Sequence, residues 1–290
     1  MSIALTTQFK PYTDELFKAE SKSALVTNTD FDFSGAHAVK VYKISTAALN
    51  NYSRNVAADA ESFPISRYGN LADLSASVEE MILSKDRSFI FNIDKMDQDE
   101  TAQQLAAASA LARELREVVI PEIDAYVFGE MVDGAGTVVS SDDYAALTKN
   151  NVYEKILAGV ETLDDNEVTD SGRVLIVTPA TYAILKQAAQ FDNCDVGAEA
   201  RLNGVIGILD GMKVIKVPAS RLPEGVQFIV CHPSATVRPV KLEDFNVHSD
   251  TPLSSGDIVT GRIVYDAFVL DNKAKGIYVY QEPSSEGDGE

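Results

Sequence analysis

Residues 97–128 read DQDETAQQLAAASALARELREVVIPEIDAYVF. Leu105, Leu111, Leu115, Val119, Ile123 and Tyr126 recur mostly at steps of three and four, with alanines at positions 106 to 108. That spacing predicts one amphipathic helix with a single buried stripe. Asp97 is placed to cap its first turn, and Glu100 stands where a capping box carries its acid. Pro121 lacks a backbone donor and is expected to kink the last third or end the regular part there. At about 1.5 Å per residue, a helix of roughly thirty residues is a rod of about 45 Å. Such a rod suits a flat or elongated protein, with a sheet along one side and neighbouring chains along the other. It is a scaffold element, not a catalytic one.

A chain of 290 residues with 45% hydrophobic content can form one large or two small domains with a sizeable core. Its formal charge of −19 argues against a nucleic-acid-binding face, which would concentrate Lys and Arg to neutralise phosphates. Any relation to DNA is therefore containment. The two cysteines, Cys194 and Cys231, have no partner spacing, so neither a disulfide framework nor a zinc cluster is indicated, and a reducing compartment is expected. The N-terminus lacks the apolar core of a signal peptide, and nowhere do eighteen apolar residues run together. The expectation is a soluble cytosolic protein without a membrane partner.

On the N-terminal side of the helix, residues 1–35 are polar yet carry Phe9, Tyr12, Phe17, Phe31 and Phe33. Five aromatics are too many for a disordered tail, so this segment reads as an arm lying on another part of an assembly, with a short helix around Asp14 to Ala24. His37 to Ile44 alternates apolar and polar positions and predicts a strand. Phe89, Phe91 and Ile93 alternate likewise, and a KDRS turn, Lys85 to Ser88, makes residues 77–94 a hairpin, although Val78 to Leu83 alone also fits a helix. The polar stretch Asn50 to Ala76 reads as surface loop. The region from 36 to 95 is then a long two-stranded excursion, only marginally stable in water by itself.

On the C-terminal side, Gly129 to Ser141 reads as a connection. A helical pattern opens at Asp142 and Asp143 with Tyr144 and Leu147, breaks at 149–151 and resumes with Ile156, Leu157 and Val160. Strand Val174 to Val177 is followed by Thr178 as cap, Pro179 at the first helical position and a helix carrying Tyr182 and Leu185. Met212 to Val217 and Val226 to Cys231 read as strands. Ile258 to Val269 and Gly276 to Gln281 read as two antiparallel strands joined by a turn around Asp271 to Lys275.

In this order, KDRSFIFNIDKMDQDET, EIDAY, RVLIVTPATYAILKQA, GVIGILDGMKVIKVP and GRIVYDAFVLDNKAKGIYVY resemble a major capsid protein of a tailed bacteriophage with the Hong Kong 97-like fold. The resemblance implies an α+β fold and a segmentation: N-terminal arm 1–35, extended loop 36–95, peripheral domain with the spine helix 96–139, axial domain 140–250, closing strands of the peripheral domain 251–282, and a tail 283–290. It implies hexamers and pentamers tiling an icosahedral shell around double-stranded DNA, in a virion capsid assembled in the host cytoplasm. The expected partners are the chain itself, a separate scaffolding protein, a portal and decoration proteins. Scaffolding is expected from a separate protein, or the sequence is a mature form, because the arm begins almost at once. No motif carries over Lys–Asn cross-linking, though Lys85 stands near the loop. An encapsulin-type nanocompartment enclosing a cargo enzyme is the alternative of the same fold. An α/β enzyme built on VLIVTPATY is the alternative of another class.

No catalytic, cofactor-binding or metal-ligating residue is assigned. Asp94, Asp97, Asp99 and Glu100 read as a helix cap with acids in the first turn rather than a Ca²⁺ or Mg²⁺ site. Asp164, Asp165, Asn166 and Asp170 faintly resemble a calcium loop, but Val168 stands where a ligand should, so a solvated turn is favoured. His37, His232 and His248 are far apart and none has a second His at metal spacing. Cys231 and His232 are adjacent on a strand and point to opposite faces, which favours a buried structural Cys. Gly134 and Gly136 begin a dinucleotide fingerprint whose third position is Val139. Asn51, Tyr52 and Ser53 match a glycosylation acceptor, without meaning in the absence of a secretion signal. With no convergent polar set, the chain is not expected to be an enzyme.

Overall fold

The structure is a computed structural model that describes residues 21–28, 38–44, 46–52, 68, 73, 76–96, 107–140, 144–188, 207–248 and 255–283. The chain divides into two compact units, Phe33–Leu83 and a larger one made of Met1–Asp32 and Ser84–Glu290.

In the smaller unit, β1 (Ala38–Ile44) pairs antiparallel with β2 (Ala76–Ile82), Val41 opposite Glu79. Lys43–Glu79 at 2.9 Å, largely buried, and Lys40–Glu80 at 3.5 Å, on the surface, tie the two strands. Val78 to Leu83, open between strand and helix in the sequence, is strand up to Ile82.

The expected hairpin over 77–94 does not form. β3 (Lys85–Asp94) pairs instead with β11 (Gly256–Tyr265), which pairs on its other side with β10 (Val240–His248). KDRS is therefore the start of a strand, not a turn. Its charges find distant partners: Asp86 takes a two-pronged pair from Arg262 at 2.9 and 2.5 Å, and Arg87 reaches Glu122 at 2.7 Å. Alternation turns Phe89, Phe91 and Ile93 to one face, where they pack with Val259, Ala110 and Leu111.

The long helix is real and continues past its expected end. Among the described residues it comprises α1 (Ala107–Glu114), a π-helical turn (Leu115–Val119) and α2 (Ile120–Asp133). Pro121 sits in the first turn of α2, where its missing donor is absorbed at the π turn, so it does not end the helix. Beyond the π turn Ile123 is buried as expected, together with Val127, Phe128 and Met131, and Tyr126 packs partly buried against them. The expected connection from Gly129 begins only at Gly134, which precedes β4 (Thr137–Val139). The proposed cap at Asp97 to Glu100 and Leu105 lie outside the described residues.

A six-stranded sheet follows, in the order β4, β13 (Ile277–Gln281), β8 (Val226–Cys231), β5 (Val174–Val177), β7 (Met212–Lys216) and β6 (Ile208–Leu209). The closing segment thus separates: β11 joins the three-stranded sheet, while β13 lies between β4 and β8, so the two expected closing strands are not paired with each other. Between them, β12 (Phe268–Val269) pairs with β9 (Thr236–Val237). Both faces of the large sheet are covered. Val174 and Ile176 point toward Ile123, Val127, Phe128 and Met131 of α2, whereas Leu175 and Val177 point toward α3 (Val152–Asp165) and α4 (Pro179–Lys186). A strand buried on both sides reads as the unbroken apolar run VLIV. The strand, cap and helix join stands as expected: the Thr178 hydroxyl accepts from Thr181 N at 3.2 Å, with Pro179 next. Tyr144 and Leu147 precede α3 without helical structure, and α3 starts at Val152.

Candidate assembly surfaces

Two buried carboxylates tie the chain's outlying segments to the long helix. Asp124 lies on α2, four residues after Ile120 and three before Val127, so helical periodicity places it inside with the apolar stripe. It is fully buried. Its Oδ1 accepts from Ser21 Oγ at 2.8 Å, Ser23 N at 3.2 Å and Ser23 Oγ at 2.7 Å, and Oδ2 accepts from Lys22 N at 2.9 Å. Arg221, 4% exposed, supplies the counter-charge with Nη1 2.8 Å from Oδ2. A buried carboxylate needs both charge pairing and filled lone pairs, and here it has both. Residues 21–28 are thereby pinned to the helix. Val26 is buried below them, and Asn28 continues the attachment, its N donating to Thr236 O at 2.8 Å and its carbonyl accepting from Arg238 N at 3.1 Å.

Asp266 does the same where the larger unit resumes at Ser84. Its Oδ2 accepts from Ser84 N at 2.7 Å, and Oδ1 accepts from Tyr126 Oη at 2.7 Å and from Ala267 N at 2.8 Å. Burial, and then the hydrogen bond to Asp266, push the Tyr126 phenol well above its ordinary value. Lys85 Nζ sits 4.7 Å from the centre of the Tyr126 ring, and Tyr265 meets that ring edge-on at 5.8 Å. Burial and the nearby Glu122 charge raise Tyr265 to about 12. Both phenols stay protonated through the neutral range and act as donors.

The smaller unit exposes apolar surface that its two strands do not cover. Leu49 is 101% exposed, Tyr68 77% and Tyr42 70%, with Val78 and Ile82 about half exposed as well. Tyr52 and Tyr68 stack edge-on at 5.1 Å. The three-stranded sheet adds Ile90, on the face opposite Phe89 and Phe91.

The residues weighed for chemistry take structural roles. Asp164 and Asp170 flank Arg173, which is buried and meets Asp164 Oδ1 at 2.6 Å and Asp170 Oδ1 at 3.3 Å; its guanidinium also donates to the Val168 and Thr169 carbonyls. The arginine organises this turn. Asp94 accepts from Met96 N at 2.8 Å. Cys231 is buried, and burial raises its thiol to about 12. His232 Nδ1 accepts from Ser234 N at 3.2 Å, which leaves Nε2 to donate to Ser171 O at 3.2 Å. His248, on β10, lies 3.1 Å from Thr260 Oγ1. Gly134 caps α2, and a Cβ on Gly136 would stand 2.6 Å from the Ala274 carbonyl, so these glycines serve close packing of the helix end on the turn Asp271–Gly276. His37, Cys194, Asp97, Asp99 and Glu100 lie outside the described residues. Among the described residues no group of three His, Cys, Asp or Glu is arranged to hold a metal ion, and no helix is long and apolar enough to cross a membrane.

A family model described as phage capsid protein matches residues 78–280. The chain belongs to the phage capsid protein family. This capsid protein has the fold of solved phage capsid structures at low identity. A Mycobacterium phage Che8 chain matches with TM-score 0.73 and 18% identity, covering 95% of this chain and 96% of that one. The capsid of cyanophage P-SCSP1u matches with TM-score 0.73 and 14% identity over 97% and 93%. The capsid of Myoviridae phage XM1 matches with TM-score 0.66 and 11% identity over 97% and 99%. No curated protein matches. The expected α+β capsid fold and the role of a structural phage capsid protein therefore stand, its place is the virion capsid, and the encapsulin alternative is not favoured.

Sequence reasoning missed Asp124, Arg221, Asp266 and Arg173. Asp124 carried a signal, a lone acid on the buried stripe of the long helix. Asp266 and Arg221 carried none, because their partners lie about a hundred or more residues away in sequence.

Proposed function

We propose that the subunit assembles through hexamers and pentamers into an icosahedral shell that encloses double-stranded DNA, in the host cytoplasm, without enzymatic activity of its own. A separate scaffolding protein, a portal and decoration proteins complete the particle. In this reading the smaller unit is the core of the extended loop, residues 21–28 are the root of the N-terminal arm, and the long helix is the spine of the peripheral domain. Residues 140–250 supply most of the axial domain.

The observation that carries it is the apolar surface of the smaller unit. A two-stranded ribbon is marginal in water, and here it leaves Tyr42, Leu49 and Tyr68 largely exposed. Such surface on a thin element calls for a partner, and neighbouring copies supply one at every repeat of a shell. The fixed root at Asp124 suits the same purpose, since it holds residues 21–28 to the long helix.

The test is the variant Tyr42→Ser with Leu49→Ser. Both side chains are exposed, so the unassembled subunit should keep its circular dichroism and melting temperature, while shell yield with the scaffold co-expressed should fall at least about tenfold, as expected when about 1.4 kcal/mol or more is lost from a repeated contact. Full assembly of the variant would refute this role for the loop.

A further inference from the structure

One groove is basic in a chain whose formal charge is −19. Lys22, Lys213 and Lys216 line it over an apolar floor that includes Leu25, Pro179 and Pro218, around a volume of about 430 Å³, and no carboxylate is among its lining residues. Leu25 is half exposed there. Among the described residues none of the three lysines is in an ion pair; Lys216 Nζ lies 5.3 Å from the centre of the Tyr182 ring. Copies of so acidic a chain repel one another, so a contact between them needs a place where the sign reverses. The groove is such a place.

Its counterpart is on α3. Val152, Ile156, Gly159 and Leu163 are the buried positions of this helix, which turns Glu154, Leu157, Glu161 and Asp165 outward in one stripe at helical spacing. All four are exposed, and Leu157 gives the stripe an apolar centre to meet the apolar floor of the groove. Glu154 and Glu161 are two turns apart, about 10.5 Å along α3. Lys213 and Lys216 are three strand residues apart, about 10 Å along β7. The stripe faces away from its own groove: α3 packs on β8, β13 and α4 with its buried side, whereas the groove lies on β7 and the residues around Leu25. With the subunit read as a shell protein, we propose that the groove receives the α3 stripe of a second copy, Lys213 and Lys216 meeting its Glu154 and Glu161, from neighbour to neighbour around each hexamer and pentamer. Two different patches in contact make a head-to-tail interface, the kind that closes into rings. Exposed ion pairs are individually weak and screened by salt, so the contact gains its strength by repetition around the ring.

Charge exchange tests this on the whole protein, expressed with its neighbouring genes, with the yield of rings and shells read by light scattering and electron microscopy. Lys213→Glu with Lys216→Glu, and separately Glu154→Lys with Glu161→Lys, set like charges against each other and should lower the yield about tenfold or more at low salt. The chain carrying all four substitutions should recover to within about threefold of the parent, because the pairs are restored with exchanged signs. The two half-exchanged chains mixed in equal amounts fit only in alternation, so they should form six-membered rings and no five-membered ones. All four side chains are exposed, so circular dichroism should not change. Should a variant fold poorly, carbodiimide coupling on the parent decides: it should join Lys213 or Lys216 to Glu154 or Glu161 of an isotope-labelled copy, and less so near 0.5 M salt, where the screening length is only about 4 Å. Unchanged yield in both half-exchanged chains, a fourfold variant that does not recover, or the absence of that coupled product would overturn this contact while leaving an assembling parent a shell protein. A loss confined to the lysine variant would overturn it too, and assign the groove to another acidic partner. A parent that forms neither rings, shells nor the coupled product would overturn both the contact and the shell reading.

Discussion

Arg221→Ala removes the only Arg or Lys within ion-pair distance of Asp124 among the described residues, and its cost can be worked out from the site. The aspartate is fully buried, so the substitution leaves a carboxylate charge without its counter-ion in the interior. Breaking such a pair by removing one partner costs about 3–5 kcal/mol. Four donors remain on the carboxylate, from Ser21, Lys22 and Ser23, which puts the expected loss at the lower end, about 3 kcal/mol. For a domain of this size that corresponds to a fall in melting temperature of about 6–12 °C. The assay is thermal unfolding of the unassembled subunit, with limited proteolysis around residues 21–28 read in parallel. A second variant separates charge from anchoring. Asp124→Leu with Arg221→Met replaces the pair by apolar groups of similar length and should regain most of the melting temperature. It should not regain protection of residues 21–28, because the Ser21 and Ser23 hydroxyls and two backbone N–H groups have then lost their acceptor. A melting temperature within about 2 °C of the parent in Arg221→Ala, equivalent to under about 1 kcal/mol, would refute the reasoning, as would a double variant whose arm is as protected as the parent's.

Gly261 lies under the stacked Phe89 and Phe245 rings, and a Cβ there would stand 2.3 Å from Phe89, so Gly261→Ala should cost about 1–3 kcal/mol in urea unfolding, whereas Thr260→Ala on the opposite face should cost little. Phe91→Ala, which a thin hairpin would tolerate, should instead lower subunit stability by about 3 kcal/mol, because Phe91 packs with Leu111 and Val259 in the body. Burial lifts the Cys231 thiol from 9.0 to about 12, so the folded state holds that proton more tightly than the unfolded chain. Its contribution is therefore fully present below about pH 9 and is lost between about pH 9 and 12; a Cys231→Ala variant should show a shallower alkaline fall in melting temperature. In the native protein Cys231 should also resist thiol reagents at pH 8 until denaturant is added.

What sequence could show divides along the range of the interactions. The join from Val174 through Thr178 and Pro179 into α4 was legible because every part of it is local: a β-branched run, a hydroxyl cap and a proline at the first helical turn. The long helix was legible through its period, with Ile123 buried on its stripe, but not the π turn before Pro121, which adds one residue without leaving a mark in composition. Strand pairing was the least legible. Lys85 to Ser88 looks like a turn because its residues are polar, yet they are extended because Arg262 and Glu122, 176 and 35 residues away, hold Asp86 and Arg87. β11 and β13 lie close in sequence, with only β12 and a short turn between them, and end in different sheets, a choice made by β3, β4 and β8 from elsewhere in the chain. Of the candidate surfaces, the aromatic content of the N-terminal segment suggested attachment to other parts of an assembly, whereas Asp124, an acid on the buried stripe, carried a signal that sequence reasoning missed. Asp266 shows only once folding brings Ser84 and Tyr126 to it.

The central claim is that this chain is a shell subunit, and the native mass of the purified protein tests it most directly, by light scattering with electron microscopy on the same fraction, after expression alone and together with its neighbouring genes. Closed particles of megadalton mass, or rings of five and six subunits that close once the scaffold is supplied, are the predicted result. A uniform monomer or dimer under both conditions would contradict it.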